Sequence, residues 1–135
     1  MTPGEEQQLT GDVLAAATAL VQAFAAHDAP SYFAAFDPTA SFIFHTTPGV
    51  LPDRASYERL WREWEGEGFR VLGCESREPT VALAGADTAV FVHRVRTRLA
   101  GADAPLAERE TIVFRRTGGR WLAVHEHLSP DPDEA

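Results

Sequence analysis

The residues best suited to chemistry lie late in the chain. They fall in Glu108-Arg109-Glu110-Thr111-Ile112-Val113-Phe114-Arg115-Arg116 and, past Thr117-Gly118-Gly119-Arg120, in Trp121-Leu122-Ala123-Val124-His125-Glu126-His127-Leu128-Ser129. Two β-rich runs joined by Gly118-Gly119 predict an antiparallel hairpin, because glycine readily adopts the positive φ angles of a tight turn. Both runs carry ionisable groups at alternating positions: Glu110 on the first, and His125, Glu126 and His127 on the second. Strand side chains alternate faces, so either Glu126 or the histidine pair points toward the core. A buried carboxylate or imidazole is costly unless it is paired or used.

Hydrophobicity selects the inner face. Ile112 and Phe114 are more apolar than Thr111 and Arg115, and Leu122, Val124 and Leu128 more than Ala123, His125 and His127. This places Glu110 and Glu126 inward and needs an odd-residue loop with a left-handed glycine. With a strict two-residue Gly118-Gly119 turn the parity breaks, and one strand presents its other face. A third inward group comes from Thr88 to Leu99, where Val90, Val92, Arg94, Arg96 and Arg98 share one face. Three arginines belong in water, so the opposite set of Ala89, Phe91, His93, Val95 and Thr97 faces the core. Two carboxylates and an imidazole against apolar walls suit general acid–base work near neutral pH. Burial raises a carboxyl pKa, and a second carboxylate raises one of the two further. The competing reading is structural, with Glu110 or Glu126 paired to an arginine such as Arg94 or Arg109.

His125 and His127 have H-x-H spacing, which some metal sites use, and His45 is a conceivable third ligand. Two histidines do not close a shell, since zinc takes three or four protein ligands. The expectation is an outer-face or interface pair and no metal. Elemental analysis of purified protein should show no stoichiometric zinc or iron. One equivalent of chelatable metal, removed with loss of ligand binding, is the contrary result. No Gly-rich phosphate loop, G-x-S-x-G elbow or CxxC occurs, so neither a nucleotide cofactor nor serine or thiol hydrolysis is indicated. Cys74, the single cysteine, reads as a small core residue.

These groups must be positioned by simple elements. Thr10 caps a predicted helix to about Ala26, with Val13, Ala17, Leu20, Val21 and Phe24 on one face. Ser31 to Phe36 suggests a short helix closed by Asp37-Pro38, and Ala40 to Thr46 a strand of ambiguous register. Asp53 caps a helix to about Gly66, with Tyr57, Leu60, Trp61 and Trp64 on one stripe and Glu58 to Arg62 as an i,i+4 pair. That aromatic stripe reads as core, as pocket wall, or as both. Phe69 to Leu83 is a strand run with a bulge or edge at Glu78-Pro79. Ala84-Gly85-Ala86-Asp87 then turns into the arginine strand. The tail after Pro130 is expected to fray. Helices gathered early and a meander late mean an α+β domain with helices on one face of an antiparallel sheet.

With 135 residues and 44% hydrophobic content, the chain makes one domain, 1–135, with a sufficient core. A formal charge of −8 argues against nucleic acid and against anionic membranes as partners. All twelve basic residues are arginine; the chain has neither lysine nor asparagine. A lone cysteine and the lack of a secretory signal or a spanning segment suggest a cytoplasmic protein.

In Phe36-Asp37-Pro38, Ala84-Gly85-Ala86-Asp87, Arg109-Glu110-Thr111 and Gly119-Arg120-Trp121-Leu122-Ala123-Val124-His125-Glu126-His127-Leu128-Ser129, the chain resembles the nuclear-transport-factor-2-like superfamily. The likeness is to its SnoaL-like or ketosteroid-isomerase-like branch, and the last pattern is also similar to the association domain of a calmodulin-dependent kinase. The resemblance runs from Val13 to Ser129. It implies a cone-shaped α+β barrel in which a strongly curved sheet wraps the helices and leaves a pocket at the wide end, usually in a homodimer. Members include isomerases, aldol-type polyketide cyclases, epoxide hydrolases, accessory proteins of polyketide antibiotic clusters, and binding or assembly modules, so fold alone does not give function. The expectation is a pocket for a hydrophobic, polyketide-like small molecule, walled by Phe44, Trp61, Trp64, Phe91, Ile112 and Leu128. Glu126 or Glu110 would be the base and His93 its partner, with no cofactor. The alternative is a non-catalytic ligand-binding or dimerisation module.

Overall fold

The computed structural model describes residues 1–134. The element order is α1 (Pro3–Ala25), α2 (Ala29–Ala34), β1 (Phe36–Phe44), α3 (Arg54–Gly66), β2 (Val71–Leu83), β3 (Thr88–Leu99), β4 (Leu106–Thr117) and β5 (Arg120–Pro130). The five strands form one open sheet in the order β1-β5-β4-β3-β2. All neighbours are antiparallel except β1 and β5, which run parallel. The long return from β1 through α3 and the meander permits that parallel pairing. α1 packs chiefly on β2 and α3 on β1, so the helices fill the concave side.

α1 begins earlier than Thr10. The Thr2 hydroxyl accepts from the Glu5 backbone N–H at 3.1 Å, and Pro3 occupies the first turn. This is a stronger start signal than Thr10, because proline's fixed φ suits the first turn and its missing N–H costs nothing there. Val13, Ala17 and Leu20 are buried as the helical spacing requires. α2 ends at Ala34, and Asp37-Pro38 lies inside β1 rather than closing the helix. That dipeptide falls where the β1–β5 register shifts, between Phe36 and Ser41, so the ladder is already interrupted where proline cannot donate. α3 matches its expected bounds, with Asp53 accepting from Ser56 N at 2.8 Å. Glu58 pairs backward with Arg54 at 3.5 Å rather than forward with Arg62.

β3 has the anticipated faces: Ala89, Phe91, His93, Val95 and Thr97 are all buried. The register of β2 shifts between Arg77 and Thr80, where Glu78 takes φ 53° beside Pro79. Beyond β5, the segment expected to fray is held to the outer face of the sheet. Asp131 accepts two hydrogen bonds from the Arg94 guanidinium, at 2.9 and 2.8 Å, and Glu134 accepts from Arg96 at 2.6 Å. Two of the three arginines that orient β3, Arg94 and Arg96, therefore find counter-charges in the acidic tail.

The last hairpin needs a correction. Thr117 pairs directly with Arg120, and Gly118 and Gly119 take φ 57° and 78°, so the turn has two residues and not an odd number. Parity is restored further along. Val113 faces His125, but Phe114 faces Ala123, which leaves Val124 as the extra residue of a β-bulge. Before the bulge Trp121 and Ala123 point inward; after it Glu126 does, with Leu128 half-buried on the same side. Leu122 and Val124, expected inside, are only half-buried.

A buried carboxyl pair beneath an apolar cavity

The inward faces of β3, β4 and β5 bring His93, Glu110 and Glu126 together. His93 and Glu126 are each 1% exposed and Glu110 8%. His93 Nε2 lies 2.6 Å from Glu110 Oε1, and its Nδ1 lies 2.6 Å from Ser76 Oγ on β2. With an ionised Glu110 as acceptor, Nε2 is the donor, and Nδ1 is left to accept from the Ser76 hydroxyl. Glu110 and Glu126 hydrogen-bond to each other. On the other side the Tyr32 hydroxyl of α2 donates to Glu126 Oε1 at 3.4 Å and lies 3.0 Å from the Tyr57 hydroxyl of α3. Neither glutamate meets an arginine among the described residues; Arg94 is engaged by Glu78, Asp131 and Asp133.

The two carboxyls are driven apart in acidity. Burial, and then the adjacent Glu110 charge, push Glu126 well above the ordinary carboxyl range. Burial acts on Glu110 in the same direction, but the hydrogen bonds from Glu126 and His93 outweigh it and hold Glu110 below its ordinary value. The two carboxyls thus compete for one proton, with burial and the adjacent charge favouring the protonated form at Glu126. Burial and the nearby glutamates keep both tyrosines neutral. An acid that keeps its proton beside a base that has lost one is the arrangement that separates acid and base roles at neutral pH.

The pair opens onto a cavity of ≈ 390 Å³, within the range of small-molecule sites. Leu20, Val21 and Phe24 of α1 form one side, Tyr57 and Trp64 of α3 another, and Phe44, Val95 and Leu128 the strand wall. Of the expected walls, Phe44, Trp64 and Leu128 reach the cavity. Trp61, Phe91 and Ile112 do not. Phe91 and Ile112 are opposite each other, one strand period beyond His93 and Glu110, and are packed solid at 2% and 0% exposure. Trp61 is covered by His27, stacked at 5.0 Å, and by Phe69.

Sequence reasoning missed Tyr32 and the polar role of Tyr57. It also missed Glu108, which is buried, lines the cavity and lies 2.5 Å from His45 Nε2. Its spacing two before Glu110 was the available signal. Cys74 lines the cavity too, its thiol pushed up to about 11 by burial, which leaves it a poor nucleophile. His125 and His127 face away from the cavity, with His125 2.9 Å from Ser41 Oγ. Among the described residues no three potential ligands gather around a metal position.

A SnoaL-like domain model matches residues 13–132. The chain belongs to the SnoaL-like family. The SnoaL-like fold is repeated in solved structures. An NTF2-like protein of unknown function from Pseudomonas putida KT2440 is 21% identical, with 91% of this chain and 87% of that one covered at a TM-score of 0.78. ActVI-ORFA from Streptomyces coelicolor is 18% identical over 92% and 98%, at 0.73. A CamKII hub homology domain from a Chlamydomonas alga is 21% identical over 90% and 97%, at 0.71. At these identities the likeness is one of fold. No curated protein sequence matches the chain.

Proposed function

We propose that this SnoaL-like domain binds an apolar, polyketide-like metabolite and moves a proton on it without a cofactor, as an isomerase, aldol-type cyclase or hydratase does in natural-product biosynthesis. The observation that carries this reading is the buried Glu110–Glu126 carboxyl pair at the wall of an apolar cavity, whose acidities are pushed in opposite directions. Glu126 donates to a ligand carbonyl oxygen. Glu110 takes the proton from the adjacent carbon, and His93 holds the carboxylate in place. The polyketide-like character rests on family membership. The same reading takes the protein as cytoplasmic, where its single thiol stays reduced, and as a homodimer.

The test uses 2-tetralone, an apolar bicyclic ketone, in D2O. Proton NMR should show protein-catalysed exchange at the carbon next to the carbonyl, well above the buffer rate. Binding of the ketone without accelerated exchange would leave a non-catalytic binding module, the kind of role an assembly-type relative suggests.

A further inference from the structure

Glu108 and Glu110 are alternate residues of β4, so their side chains share the concave face and stand roughly 7 Å apart along the cavity wall. Glu108 is 6% exposed, and its Oε2 is taken by His45 Nε2 at 2.5 Å, from the residue that follows β1. Among the described residues nothing hydrogen-bonds Glu108 Oε1, although the side chain lines the cavity. Glu108 Oε1 is not among the buried unpartnered atoms, so it is reachable from the cavity and free to accept from a ligand donor while His45 pins the other oxygen. The charged lining is all of one sign. Carboxyls come from Glu67, Glu108, Glu110 and Glu126, whereas no arginine or histidine reaches the described wall and the chain has no lysine.

We propose that Glu108, held by His45, is a second anchoring point of the cavity and selects an elongated neutral ligand with a hydrogen-bond donor at the end remote from its reacting carbonyl. The carbonyl, or the enol hydroxyl that the naphthols below imitate, meets the Glu110–Glu126 end, and the remote donor meets Glu108 Oε1. A carboxylate at the second position is rejected, because it would be desolvated against a like charge with no arginine or lysine on the described wall to offset it. This rests on the pocket reading above and adds the chemical class of the ligand.

Calorimetric titration with 2-naphthol, 2,7-dihydroxynaphthalene and 7-hydroxy-2-naphthoate separates the possibilities. The diol should bind roughly 10- to 100-fold more tightly than the mono-ol, the increment of a hydrogen bond to a charged acceptor. The hydroxynaphthoate should bind more weakly than either. Glu108→Gln should remove most of the diol's advantage over the mono-ol and relieve the rejection of the naphthoate. A diol no tighter than the mono-ol, a naphthoate bound as well as the diol, or a variant that weakens all three alike would overturn the proposal. The ranking on the unaltered protein decides the matter even if the variant does not fold. If none of the three binds, the pocket reading fails with it.

Discussion

Replacing Glu126 with glutamine should lower the rate of 2-tetralone exchange by about 100- to 10,000-fold, the range expected when a positioned proton donor is lost. Glutamine keeps the shape and still donates a hydrogen bond to Glu110, but it cannot give up a proton. Stability should move the other way, because no buried cation depends on Glu126. A carboxyl whose pKa is raised on folding holds its proton more tightly in the folded chain, so its contribution is fully present at low pH. That contribution is lost as pH rises from the ordinary value of 4.5 toward the raised one. Glutamine does not titrate. The difference in melting temperature between Glu126→Gln and the unaltered protein should therefore widen in the variant's favour as pH climbs above that range. A sharp fall in melting temperature at neutral pH would make Glu126 structural and remove it from the chemistry.

Removing His93 should have the largest effect on the fold. His93→Ala deletes the buried partner of Glu110 and opens a cavity beside Phe91, whose ring lies 4.6 Å from the imidazole. Losing a hydrogen bond to a buried charged acceptor costs about 1.5–3 kcal/mol, and the cavity left by the ring adds to it. Glu110 is held below its ordinary pKa in part by His93, so its contribution is present above the ordinary range and lost as pH falls through the depressed value. The deficit of His93→Ala in urea denaturation should accordingly be greatest near neutral pH and shrink in acid, as Glu110 takes up a proton. A deficit that is the same at both ends would mean that only packing was lost.

How far these sites were legible depended on whether a local pattern or a distant neighbour decided the placement. β3 was readable because three outward arginines leave one face for the core, and that placed His93 correctly. Glu110 and Glu126 also came out inward, but by a route that was partly wrong. Leu122 and Val124 outrank Ala123 in hydrophobicity, so the hydrophobic pattern put them inside, whereas Trp121 and Ala123 take the core positions. The deciding contacts are nonlocal. β5 pairs with β1 through Phe42 opposite Glu126 and Phe44 opposite Leu128, and no window of sequence contains both partners. Ser76 beside His93 and His45 beside Glu108 were out of reach for the same reason. Trp61 had the right spacing for the α3 stripe, but spacing identifies a face and not which part of that face stays uncovered.

The bulge at Val124 has a consequence for how such proteins diverge. β5 is written with two usable inner faces, Glu126 with Leu128 and His125 with His127, and one unpaired residue chooses between them. If that irregularity moved past Leu128, the straightened strand would turn both imidazoles into the interior and the carboxylate out, with no substitution at any of the four positions. A lineage carrying this strand thus holds a second, histidine-lined interior in reserve. Reaching it takes a shift of register rather than the gain of a new functional residue, which is a short evolutionary path for a fold that hosts so many activities.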